Sequence, residues 1–65
     1  MTKVEKVKIS DDLKVYRVLR HLLQKDIAEA LGLSQRTISY VEKCKFSEVS
    51  DKTLLRIQEY LQKNQ

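Results

Sequence analysis

The sequence predicts an all-α fold of four or five short helices, and three observations carry that reading. The 65 residues contain no proline and one glycine, Gly32, so the usual punctuation of strands and tight turns is nearly absent. Apolar residues recur at spacings of three and four in every segment. Ser followed by an acid or amide, the pattern of a helix start, occurs at Ser10, Ser34 and Ser50. With 34% charged and 42% apolar side chains, a chain of this length fits one small domain. Its core is too small for comfortable independent stability, so idealised helices, a dimer, or both are expected.

Residues 1–9 read as a basic N-terminal arm: Val7 and Ile9 alternate with Lys8, yet no second strand is visible to pair with them. Residues 10–65 then form the single domain. Ser10, with Asp11 and Asp12 suited to the positive end of the helix dipole, opens the first helix. At about 100° per residue, Val15, Tyr16, Val18, Leu19, Leu22 and Leu23 fall on one arc, with Lys14, Arg17, Arg20 and His21 opposite. Propensity alone would carry this helix on into Ala30 and Leu31. A break before Asp26 is expected nonetheless, because a short chain gains core only by folding back on itself. Gly32 ends the second helix, and Ser34 caps a third that runs to about Lys43. Residues 44–49 form a loop, with a further short turn expected within 46–52. Ser50 and Asp51 open a last helix that frays at Lys63, Asn64 and Gln65.

The segment 24–43 carries the chemistry. Ala28, Gly32 and Ile38 supply what two steeply crossing helices need: a small residue at the close approach, a glycine tolerant of positive φ, and a branched apolar residue in the angle. On the third helix, Ile38 and Val41 lie on one face. Gln35, Arg36, Ser39, Tyr40 and Lys43 lie on the other, with no acid among them and Glu42 at the margin. Glutamine can pair with both adenine edge atoms and arginine with those of guanine, while serine or tyrosine can bond phosphates. The net charge of +4 concentrates in the same place and in the arm: residues 34–45 and 1–10 each carry +2, and the rest is balanced.

The run QKDIAEALGLSQRTISYVEK, Gln24 to Lys43, resembles the helix-turn-helix of the Cro and phage-repressor family, often called XRE-like. A looser match extends over residues 13–61. The resemblance implies a compact phage-repressor-like bundle that binds operator DNA as a dimer. By position, Gln24 would touch a phosphate and buttress Gln35. Gln35, Arg36, Ser39 and Tyr40 would face base edges, and Lys43 and Lys45 would hold the backbone. Arg17 and Glu42 match a pair that forms a partly buried salt bridge between the first and third helices. Three departures stand out. Leu23 occupies the usual Ser or Thr cap of helix 2, Cys44 stands where Gly is common, and Val49 where Pro often precedes the last helix.

A sequence-specific transcriptional regulator on palindromic double-stranded DNA is therefore expected, probed against one rival: a protein-interaction module, such as an antitoxin or antirepressor, on the same fold. No enzyme is expected, because His21 has no acid or nucleophile at a useful spacing. Cys44 and His21 form no metal constellation, and no cofactor or small-molecule ligand is expected. No membrane-spanning or secretory segment is visible, so a cytoplasmic setting is expected. For the homodimer, the last helix is the expected contact, with Ile57, Tyr60 and Leu61 at the interface.

Overall fold

The computed structural model describes residues 1–64, and its helices are α1 (Lys3–Leu19), α2 (Gln24–Leu31), α3 (Gln35–Glu42) and α4 (Asp51–Lys63), with a 3-10 turn at Phe46–Glu48. Among the described residues there is no strand. At 1.5 Å per residue α1 spans nearly the whole 28 Å long axis of the molecule. α3 and α4 pack against it, and α2 packs on α3 and α4.

The start of α1 departs from expectation. Residues 3–9 are its first two turns and not an arm. The true start signal is Thr2 with Glu5: the Glu5 amide donates to Thr2 Oγ1 (3.2 Å) and the Thr2 amide to Glu5 Oε1 (3.0 Å). This reciprocal capping box satisfies two orphan amides at once. It leaves Ser10 in the helix interior, fully buried, its hydroxyl turned toward the Glu42 carbonyl (3.5 Å). The buried face is Ile9, Leu13 and the half-buried Tyr16. Val15, Val18 and Leu19, expected inside, point to solvent. The reason is Arg17: it lies one turn beyond Leu13 and must reach Glu42 on α3, which turns the Ile9–Leu13 side inward.

Three of the four helices end in the same motif. After α1, the amides of His21 and Leu22 return to the carbonyls of Val18 (3.1 Å) and Arg17 (3.0 Å). After α2, those of Gly32 and Leu33 return to Glu29 (3.2 Å) and Ala28 (2.9 Å). After α3, those of Cys44 and Lys45 return to Val41 (3.1 Å) and Tyr40 (2.8 Å). Each closure needs one left-handed residue, and these are His21 (φ 56°), Gly32 (φ 68°) and Cys44 (φ 60°). Only the second is the glycine that such a turn prefers. The break between α1 and α2 is thus made by a histidine, which explains why no glycine marks it in the sequence.

Ser34 and Ser50 cap α3 and α4 as expected, each accepting an amide three residues on, from Thr37 (3.1 Å) and Thr53 (3.2 Å). The core between the helices is Ile9, Leu13, Ile27, Ala28, Leu31, Ile38, Val41, Val49, Leu54, Ile57 and Leu61. Two residues expected at a subunit interface, Ile57 and Leu61, belong to this core and are buried within the chain itself. Tyr60 is half-buried, its hydroxyl 3.3 Å from that of Tyr16 and its ring edge-on at 5.7 Å. That hydrogen bond, together with burial, holds the Tyr60 phenol above its ordinary pKa. Leu55 is the apolar residue of α4 left outside. Gln65, expected in the frayed end, lies outside the described residues.

Candidate nucleic-acid interface

α2 and α3 meet at the corner foreseen from Ala28, Gly32 and Ile38. Ala28 and Ile38 are buried, and Gly32 adopts the left-handed conformation that reverses the chain. From α4, the Arg56 guanidinium donates to the Leu31 carbonyl at the end of α2, placing a cation at the negative pole of that helix. Sequence reasoning missed this contact, since Arg56 sits 25 residues away and no local pattern announces it.

The orientation of α3 is fixed from α1 by a fork-to-fork ion pair. Arg17 Nε lies 2.7 Å from Glu42 Oε2 and Nη2 2.9 Å from Oε1, while Nη1 donates to the Leu22 carbonyl (3.2 Å). The Glu42 side chain is 7% exposed and that of Arg17 22%. The hydrogen bonds to Glu42 raise the Arg17 pKa further above its ordinary value. Among the described residues this is the one ion pair that is both bidentate and largely shielded from solvent. Gln24 joins it: its amide nitrogen donates to Glu42 Oε1 (3.3 Å), not to Gln35, so it buttresses the salt bridge rather than the outer face of α3. The start of α2, without its Ser or Thr, is held by Asp26, whose carboxylate accepts the Leu23 amide at 2.8 Å.

With one side of α3 pinned this way, the other is wet. Gln35 and Arg36 are exposed in its first turn, Ser39 is half-exposed a turn later, and Lys43 and Lys45 are exposed beyond its end. Tyr40 is half-buried against the core beside Cys44 and Phe46, so its ring supports the loop that carries Lys45. Among the described residues, Arg36, Lys43 and Lys45 enter no ion pair, whereas Lys6, Lys8, Lys14 and Arg17 each lie within 4 Å of a carboxylate. Arg36, Lys43 and Lys45 are therefore among the cations without an ion pair, and they are the ones that lie on or next to the α3 face. Lys25 adds one that the sequence reading passed over: it is exposed in the first turn of α2.

A pinned helix whose free face offers amides, hydroxyls and unpaired cations, preceded at a glycine corner by a second short helix, defines the helix-turn-helix class of DNA-binding domain. The helix-turn-helix family profile matches residues 13–64, and the chain belongs to that XRE-type family. It is also similar to an uncharacterized HTH-type transcriptional regulator of Methanocaldococcus jannaschii, 45% identical over 38 residues. That match spans 58% of this chain and 58% of the relative. No solved structure matches the chain. Among the described residues no cluster of three His, Cys, Asp or Glu could hold a metal ion, and no helix is long and apolar enough to cross a membrane.

Proposed function

We propose that this protein is a sequence-specific transcriptional regulator that lays α3 in the major groove and binds palindromic operator DNA as a homodimer. The observation that carries the proposal is the free face of α3: acid-poor, with unpaired cations, and held rigidly from behind by Arg17 and Glu42. Rigidity matters because base discrimination requires donors and acceptors to be presented at fixed positions.

In this reading Gln35 and Arg36, at the N-terminal end of α3, reach furthest toward base edges, as in helix-turn-helix docking generally. Ser39 lies one turn behind them and contacts a base edge or the adjoining backbone. Lys43, Lys45 and Lys25 neutralise phosphates at the flanks, which supplies affinity without sequence information. Tyr40 is assigned mainly to supporting the loop, with its hydroxyl at the edge of the interface. Gln24 reaches the backbone only from the position set by Glu42. Repression by occlusion follows naturally for a domain of this size bound across a promoter. The similarity to a regulator in name supports the same reading.

Selection of bound duplexes from a random pool tests it. A recovered motif with two-fold symmetry and half-sites about one helical turn, roughly 34 Å, apart is expected. Recovery of no preferred sequence, together with capture of a protein ligand by the same face, would replace this reading with that of a protein-interaction module.

A further inference from the structure

The two ends of α3 are held differently. Its C-terminal end is gripped from α1 through Glu42. Its N-terminal end follows a turn built around Gly32, the residue with the most backbone freedom in the chain, which stands in the left-handed region just ahead of the Ser34 cap. Leu33 packs this turn against the core, yet an apolar contact has no direction and does not fix the angle at which α3 leaves. Direction matters there. A swing of about 1 Å in the first turn of α3 would take Gln35 and Arg36 out of register with a base edge, since hydrogen bonds span only about 2.7–3.2 Å.

A directional restraint comes from α4. The amides of Gly32 and Leu33 return to the Glu29 and Ala28 carbonyls, and among the described residues no amide of the turn reaches the Leu31 carbonyl. Arg56 Nη2 donates to that carbonyl instead, and the same nitrogen lies 3.7 Å from the place a β-carbon on Gly32 would take. Leu54 and Ile57, on either side of Arg56 in the chain, are fully buried, so the arginine is carried on a helix that the core holds still. Among the described residues its guanidinium has no carboxylate within 4 Å. Its charge is spent on the end of α2. Arginines from two other helices thus bracket α3, Arg17 at Glu42 and Arg56 just ahead of Ser34.

We propose that Arg56 is a positioning residue for sequence readout: by holding the Leu31 carbonyl beside Gly32 it sets the first turn of α3, and with it Gln35 and Arg36, at the angle that meets base edges. Arg56 itself touches no DNA. The inference rests on the reading of α3 as the helix that enters the major groove.

The test compares wild type, Arg56→Met, Arg56→Lys and Ile9→Val, each titrated with a duplex selected from a random pool and with a scrambled duplex. Arg56→Met should lose at least about tenfold of the preference for the selected duplex, the scale of one charge-assisted hydrogen bond. Its affinity for the scrambled duplex, and the salt dependence of that affinity, should stay those of wild type. Arg56→Lys, which keeps a cationic donor, should recover most of the preference. Ile9→Val, a core change away from the turn, should lower the thermal midpoint and keep the preference. Equal loss toward both duplexes with a salt slope smaller by about 1 would make Arg56 a phosphate contact and overturn the inference. So would an unchanged preference in Arg56→Met, or the same loss in Ile9→Val. Amide hydrogen exchange is the readout that needs no DNA: in Arg56→Met the Gly32 and Leu33 amides should exchange at least about tenfold faster, with those of Lys43 and Lys45 unchanged. A wild type that prefers no duplex contradicts the functional proposal, and the exchange rates then decide the clamp alone. Acceleration at both pairs of amides, or at neither, overturns it.

Discussion

The outer faces of α1 and α3 are both single, solvent-facing sides of amphipathic helices, yet they differ in what each leaves out. The α3 face, built from Gln35, Arg36, Ser39 and Lys43, leaves out acids and leaves its cations without ion pairs. The α1 face carries Val15, Val18 and Leu19 in the open, and its charges there are neutralised in exposed pairs, Lys14 with Asp11 and Lys8 with Asp12. Exposure alone says nothing about use. The free cations separate a surface suited to a polyanion from one whose charges already cancel.

The strongest way to break the comparison is to detach one helix from the other. Arg17→Ala leaves the Glu42 carboxylate, 7% exposed, without its guanidinium. A loss of about 2–3 kcal/mol is expected, read as a fall of roughly 10–20 °C in the thermal midpoint for a domain this small. Glu42→Ala should do the same, and a double variant should lose little beyond either single one, because the two side chains act on each other.

Next in size are changes confined to the α3 face. Arg36→Ala should cost about 1–3 kcal/mol of discrimination at one base pair. Its thermal midpoint should stay within the scatter of surface substitutions, about 0.5 kcal/mol in stability terms. Lys43→Ala should weaken all duplexes alike and reduce the slope of log affinity against log salt by about 1. Uniform loss from both would erase the distinction between base-reading and backbone-holding positions on this face.

The two helices also share a strained ending, at His21 and at Cys44. His21→Gly and Cys44→Gly should each stabilise the fold by up to about 1 kcal/mol, since a β-carbon in the left-handed region is disfavoured and glycine carries none. Gly32→Ala should act in the opposite sense. Strain at its φ of 68° is the cause, as the added carbon would meet its nearest neighbour, Arg56 Nη2, at an ordinary 3.7 Å. Thermal melts of the three variants rank them directly.

The smallest expected effect concerns acid. Backbone and hydroxyl hydrogen bonds from Thr2 hold the Glu5 carboxyl below its usual pKa, and the N-terminal amine and Lys6 do the same for Asp51. A carboxylate depressed in the folded state binds fewer protons there than in the unfolded chain. Its contribution is present above the unfolded value, about 4, and is lost as pH falls through the folded value. Glu5→Gln and Asp51→Asn should therefore melt below wild type near neutrality, and the gap should narrow as pH falls below the unfolded value and close once the depressed folded-state values are passed.

The corner between α2 and α3 was legible because its signals are local: Ala28, Gly32, Ile38 and the Ser34 cap act within a few residues of one another. The outward placement of Gln35, Arg36 and Lys43 followed from helical geometry alone. The first helix was not legible in the same way. Ser10, Asp11 and Asp12 make a cap pattern as good as Thr2 and Glu5, and α1 is apolar on two sides, so periodicity cannot say which side goes in. The choice is made by a long-range contact, Arg17 with Glu42, whose neighbours Ile9 and Leu13 are carried inward with it. The same ambiguity misplaced Ile57 and Leu61: an apolar residue on the last helix of a small chain serves the core before it can serve a partner.

The pinned, acid-poor face of α3 is proposed to read sequence. The most direct measurement is competitive titration of wild type and Gln35→Ala/Arg36→Ala against one duplex selected from a random pool and a scrambled duplex of equal length, at fixed salt. Wild type should prefer the selected duplex by about 10³-fold or more, and the double variant should bind both with the same weak, salt-sensitive affinity. A double variant that keeps the full preference, or a wild type that shows none, would contradict the account.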